Sequence, residues 1–214
     1  MSTSFELAVD AFLNQHRTST FTGRFLNRVW KAFMAYSMCL VVETFRKKNC
    51  TVTPQNHVPA FIFKCFPAGD PDNYSYFLVQ KNDETYEVRL SVYCQNLRFN
   101  GLRLNMDMVV IRPNSINPEN VVDSETDLVT FAECKNLRGF PELVATLEGM
   151  TLELQSPRLW RNTASQYRIP CCLLLSGSGF SIREYLRRRN RALRVFDMLQ
   201  PGSSAVQQFI QTWF

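Results

Sequence analysis

The chain has 214 residues, of which 45% are hydrophobic and 20% charged, with a net charge of +5. That balance excludes a disordered chain, and 8 Gly and 10 Pro exclude collagen-like and low-complexity classes. A chain of this length predicts a single domain, 1–214, that buries roughly 70% of its unfolded surface without disulfides or a structural metal.

Met1 to Asp10 carries Glu6 and Asp10 and no early Lys or Arg, unlike a secretory signal. Arg24 to Lys48 places Phe25, Val29, Phe33, Tyr36 and Leu40 at helical spacing, which predicts a largely buried helix. Phe33 to Val42 is the most apolar stretch, well short of the ~20 residues a membrane span needs. A loop is expected around Pro54 and Pro59, then strands over Phe61–Phe66 and Tyr74–Gln80 separated by a turn-rich segment. Thr85–Tyr93 alternates Tyr86, Val88, Leu90 and Val92 with Glu87, Arg89 and Ser91, which predicts a hairpin strand with one wet face. Strands follow over Leu102–Ile111 and Asp127–Lys135, with a loop over Arg112–Thr126 between them. Pro141 suits the first turn of a helix running to Leu154. After an irregular stretch, Cys171–Leu175 predicts a buried strand, and Ser181 to Leu199 a helix stopped by Pro201-Gly202. The order predicts an α/β sandwich with a mixed sheet and a core over about 24–199. Seven cysteines without framework spacing predict thiols used as core residues in a reducing, cytoplasmic compartment.

The chemistry concentrates in Asp127-Leu-Val-Thr-Phe-Ala-Glu133-Cys-Lys135-Asn136. Side chains alternate along a strand, so Glu133 and Lys135 point the same way and Cys134 the other. Upstream, Asp107 heads the apolar run Met108-Val-Val-Ile111. If the two strands pair, Asp107 lies beside Glu133. Two carboxylates at one point suit a hard divalent cation such as Mg²⁺, or Mn²⁺, which polarises a phosphoryl oxygen and activates water. Lys135 would stabilise charge on the phosphate. The competing account of Glu133 and Lys135 is a solvated ion pair on a surface strand.

This constellation resembles the PD-(D/E)-x-K nuclease superfamily. Asp107 stands in the place of the first acid, and Glu133 and Lys135 in the place of the E-x-K. Met106 stands where the name-giving proline would be, and no convincing glutamine follows on the helix after Lys135. Leu173-Leu-Leu-Ser-Gly-Ser-Gly-Phe180-Ser181, followed by a basic helix, is similar to the end of Mrr-type restriction endonucleases. The resemblance implies a restriction endonuclease-like α/β/α sandwich, with a central mixed β-sheet flanked by helices. It also implies metal-dependent hydrolysis of phosphodiester bonds, in DNA more than RNA, with a homodimer as a natural assembly and a defence effector as one setting. Glu43, within Leu40-Val-Val-Glu43-Thr-Phe45, matches members that place a helix glutamate near the metal; its alternative is a solvated pair with Lys47 at i+4.

Ser181 to Gln200 holds six arginines against Glu184 and Asp197. On one continuous helix, Arg183, Arg187, Arg191 and Arg194 would share a face. That face is either a track for phosphates or a solvated or protein-binding surface. The competing reading of the whole chain is a catalytically inactive nucleic-acid-binding or protein-interaction module of the same fold.

Overall fold

The computed structural model describes residues 3–20, 28–56, 58–154, 169, 171–188 and 194–213. Helix α1 (Ser4–Gln15) opens with a reciprocal cap: the Thr3 hydroxyl accepts from the Glu6 N–H, and the Glu6 carboxylate accepts from the Thr3 N–H. Its Phe5, Val9 and Leu13 recur every four residues and are buried. A two-residue strand, β1 (Ser19–Thr20), precedes α2 (Val29–Lys47), whose residues from Ala32 to Val42 are all buried.

The strands that follow are β2 (Thr51–Gln55), β3 (Ala60–Phe61), β4 (Tyr76–Lys81), β5 (Glu84–Gln95), β6 (Arg103–Ile111), β7 (Val121–Val122) and β8 (Leu128–Lys135). Helix α3 (Pro141–Leu154), β9 (Cys172–Leu175), α4 (Phe180–Arg188), β10 (Arg194–Phe196) and α5 (Ser204–Thr212) complete the described chain. The main sheet has the order β10-β9-β8-β6-β5-β4-β2, with β7 alongside β5 and β1 paired with β3 apart from it. Strands β2, β4, β5, β6 and β8 form an antiparallel meander, while β9 and β10 continue parallel from β8.

Each face of the sheet has its own core. One unites α1, α2 and α5 through Phe33, Val41, Phe209 and Trp213. The other unites α3 and α4 through Val144, Leu147 and Ile182. The chain is therefore an α/β protein with a central mixed sheet flanked by helices, as its sequence predicts. No helix among the described residues is long and apolar enough to cross a membrane.

Several predicted elements need correction. Strand β3 covers only Ala60–Phe61 of the expected Phe61–Phe66. Pro54 lies within β2, where an edge strand tolerates the missing N–H. The expected wet face of β5 is covered, because Glu87, Arg89 and Ser91 are all buried. The Arg89 guanidinium donates to the Glu87 carboxylate at 2.7 Å and stacks 3.7 Å from the Tyr76 ring, and the Asn114 N–H also donates to Glu87. The helix expected over Ser181–Leu199 ends at Arg188, and Arg194–Phe196 joins the free edge of β9 as β10. The open hydrogen-bonding edge of β9 outweighs local helix propensity there.

One irregularity positions the site. Val88 and Leu90 belong to the α2-side core, but Val92 and Cys94 belong to the α3-side core. Across the ladder, Met108 and Val110 lie with the first and Met106 with the second. Both strands thus change faces between Leu90 and Val92. There Ser91 has a φ of 50°, and its pairing with Asp107 is the step missing from an otherwise regular ladder. The ladder of β6 and β8 begins at Met108 opposite Ala132, one step inside Asp107 and Glu133.

Candidate active site

Antiparallel register sets Asp107 across from Glu133 at the end of the β6–β8 ladder. Beyond it the two carboxylates replace the ladder as backbone partners. The Asp107 N–H donates to Glu133 Oε1 at 3.4 Å, and the Cys134 N–H donates to Asp107 Oδ2 at 2.9 Å. Two residues along β8, Lys135 Nζ donates to Asp107 Oδ2 and to Glu133 Oε2, each at 2.8 Å. Side-chain exposure rises from 5% at Glu133 through 17% at Asp107 to 30% at Lys135. The cluster is open to solvent on the Lys135 side, where a substrate would approach.

Its electrostatics are strained. Burial lifts the Glu133 carboxyl to about 7, the Asp107 carboxylate adds to the lift, and Lys135 opposes it. Burial pulls the Lys135 ammonium down, but the Glu133 and Asp107 carboxylates outweigh that and hold it above its ordinary value. Lys135 therefore stays cationic at neutral pH. When Glu133 ionises, two carboxylates face one ammonium, and a bound cation would relieve the excess negative charge.

The donor set is all oxygen, the preference of Mg²⁺ and Mn²⁺. Among the described residues, no group of three or more His, Cys, Asp or Glu side chains gathers that could hold a metal. Among the described residues, Asp107 and Glu133 would supply the protein's ligands, with water and phosphate oxygens completing the shell. Mg²⁺ is commonly held in that way, by one or two carboxylates.

The other predicted site residues fall elsewhere. Glu43 lies in the C-terminal part of α2, and no hydrogen bond or ion pair joins it to Asp107, Glu133 or Lys135. It accepts two bonds from Arg46, at 2.7 and 3.0 Å, in place of the expected Lys47 pair. The helix supplies the buried Ser37 instead, which lies beside the Cys134 thiol on the side of β8 away from Glu133. Burial pushes the Cys134 thiol well up, consistent with a core thiol.

The arginine face is not continuous. Arg183 pairs with Asp197, and Arg187 pairs with Glu184. Arg194 sits in β10 and donates to the Trp213 carbonyl, and Arg191 lies outside the described residues.

A second set of cations was not singled out by sequence reasoning. Lys64 is buried, and its ammonium donates to the carbonyls of Phe66 at 3.1 Å, Pro67 at 2.9 Å and Ser91 at 2.5 Å. It fills the gap along β5 between the start of β4 and the start of β7. Lys31 Nζ lies 5.6 Å from the Trp30 ring and 5.5 Å from the Phe66 ring, and Arg103 lies 4.7 Å over Tyr93. The available signal was a lone Lys inside the apolar run Phe61–Phe66 and a Trp-Lys pair at a helix start.

No family model, no curated protein and no solved structure matches the chain.

Proposed function

We propose that the protein is a metal-dependent endonuclease that hydrolyses phosphodiester bonds, with DNA as the favoured substrate, on a restriction endonuclease-like fold. The observation that carries the reading is the meeting of Asp107 and Glu133 on the Lys135 ammonium, at the point where β6 and β8 stop pairing. A purely solvated surface pair would not place Glu133 at 5% exposure with its proton affinity raised.

Asp107 and Glu133 would hold Mg²⁺ or Mn²⁺. When bound, such an ion supplies Lewis-acid polarisation of a phosphoryl oxygen and eases ionisation of water. Lys135, already protonated, places its positive charge where the phosphate gains negative charge, and its removal would cost roughly 10²–10³-fold in rate. Glu133 is anchored by the Asp107 N–H, so its carboxylate keeps one orientation. The net reaction adds water across one P–O bond and leaves a phosphomonoester and a hydroxyl group.

Calorimetric titration of Mn²⁺ into the protein tests the assignment of ligands. The account expects binding that is lost in both Asp107→Asn and Glu133→Gln, together with metal-dependent hydrolysis abolished in each. Hydrolysis that survives in both variants would place the chemistry elsewhere.

A further inference from the structure

We propose, resting on the nuclease reading above, that the surface beside Asp107 receives an unpaired nucleic-acid strand, with a base stacked on Trp30 and phosphates met by Lys31 and Arg103. Contiguous contacts link these residues to the acid cluster. Lys31 follows Trp30 in the first turn of α2, and its carbonyl accepts the Cys65 Sγ–H at 3.8 Å. The Cys65 thiol lies within the field of both the Lys31 ammonium and the Asp107 carboxylate. The adjacent Lys64 ammonium ties the Phe66–Pro67 backbone to Ser91, and Ser91 stands across the ladder from Asp107. An open cavity of about 450 Å³ begins at Lys64 and Ser91 and extends past Tyr93 to Arg103.

The chemistry of this surface selects the substrate form. Trp30 is 44% exposed although it belongs to a helix that is buried from Ala32 to Val42, and Lys31 lies 5.6 Å from its ring. An indole in the open beside a lysine ammonium is a stacking platform of the kind that binds single strands without sequence preference. A duplex keeps its bases stacked on one another and would offer this platform only its backbone. Arg103 lies over Tyr93 and is solvent-exposed, so its guanidinium is oriented and accessible. Asp70 and Glu119 also line the cavity and keep it from being a uniform phosphate trap.

The test is fluorescence anisotropy with labelled oligothymidylate, free and annealed to oligoadenylate, in EDTA, so that binding is read without catalysis. The free strand should bind at least tenfold more tightly than the duplex. Trp30→Ala should weaken single-strand binding roughly 10- to 100-fold, and Trp30→Phe should restore most of it. Arg103→Gln, on a different element, should weaken binding and flatten its salt dependence. Equal affinity for both forms, no binding to either, or single-strand binding unchanged in Trp30→Ala and Arg103→Gln would overturn the proposal. Cleavage by the wild type that is lost in Lys135→Ala, with binding indifferent to Trp30, would spare the nuclease reading and sink this one. The reverse pattern would do the opposite.

Discussion

Replacing Glu133 by glutamine should make the metal-free protein more stable at neutral and higher pH. In the unfolded chain the carboxyl titrates near 4.5, whereas burial first and Asp107 second hold it up to about 7 in the folded protein. Below 4.5 both states carry the proton and no cost arises. Between 4.5 and about 7 the unfolded chain releases its proton while the folded protein keeps it, so stability falls as pH rises. Above that window the cost is constant. At about 1.4 kcal/mol per pH unit, a window of this width is worth about 3–4 kcal/mol. Glutamine keeps an acceptor for the Asp107 N–H, and Lys135 keeps its bond to Asp107. Urea unfolding of both proteins across this pH range gives the difference directly. The expected result is a wild-type-minus-variant stability that falls by about 3 kcal/mol from the acid end to the neutral end. Parallel profiles would refute the claim that Glu133 is held protonated by its surroundings.

Phe131, buried at the centre of β8 against the α3-side core, should cost about 3–5 kcal/mol when replaced by alanine, read as a lower urea midpoint with an unchanged slope. Gly177→Ala would bring a Cβ within 2.9 Å of the Leu137 carbonyl oxygen and 3.0 Å of the Arg138 nitrogen, both backbone. It should destabilise the turn after β9 by about 1–3 kcal/mol, which thermal melting would reveal. Arg187→Gln should change nucleic-acid affinity less than Arg103→Gln in the same anisotropy assay, because Glu184 already engages the Arg187 guanidinium.

The part of the molecule most legible in the sequence is the part that makes the site. Register brings Asp107 to Glu133 because both sit at the ends of long apolar runs, and alternation alone puts Lys135 beside Glu133. Helix α3 runs from Pro141 to Leu154 as predicted, since proline fixes its start. What escaped was decided by tertiary context. Helix α1 is the exception, because its start is marked locally by the capping pair Thr3-x-x-Glu6. Helix α5 lies beyond the Pro201-Gly202 stop, and its Val206, Phe209 and Ile210 are buried in the α2-side core. Arg194–Phe196 became a strand because β9 offered an unpaired edge. The alternation of β5 mispredicted its faces because the chain changes sides at Ser91, and nothing in the side-chain pattern marks that turn. Glu43 sat on the helix that packs against the site's strands, but its carboxylate is taken by Arg46 and not by the acid cluster.

The account rests on Asp107, Glu133 and Lys135 working as one hydrolytic unit. The measurement that tests this most directly is cleavage of supercoiled plasmid by the wild-type protein, Glu133→Ala and Lys135→Ala, each with Mg²⁺, with Mn²⁺ and with EDTA. The account predicts nicking or cutting by the wild type with metal only, and none above background in either variant. An inert wild type in both metals, or variants that cut as fast as the wild type, would contradict it.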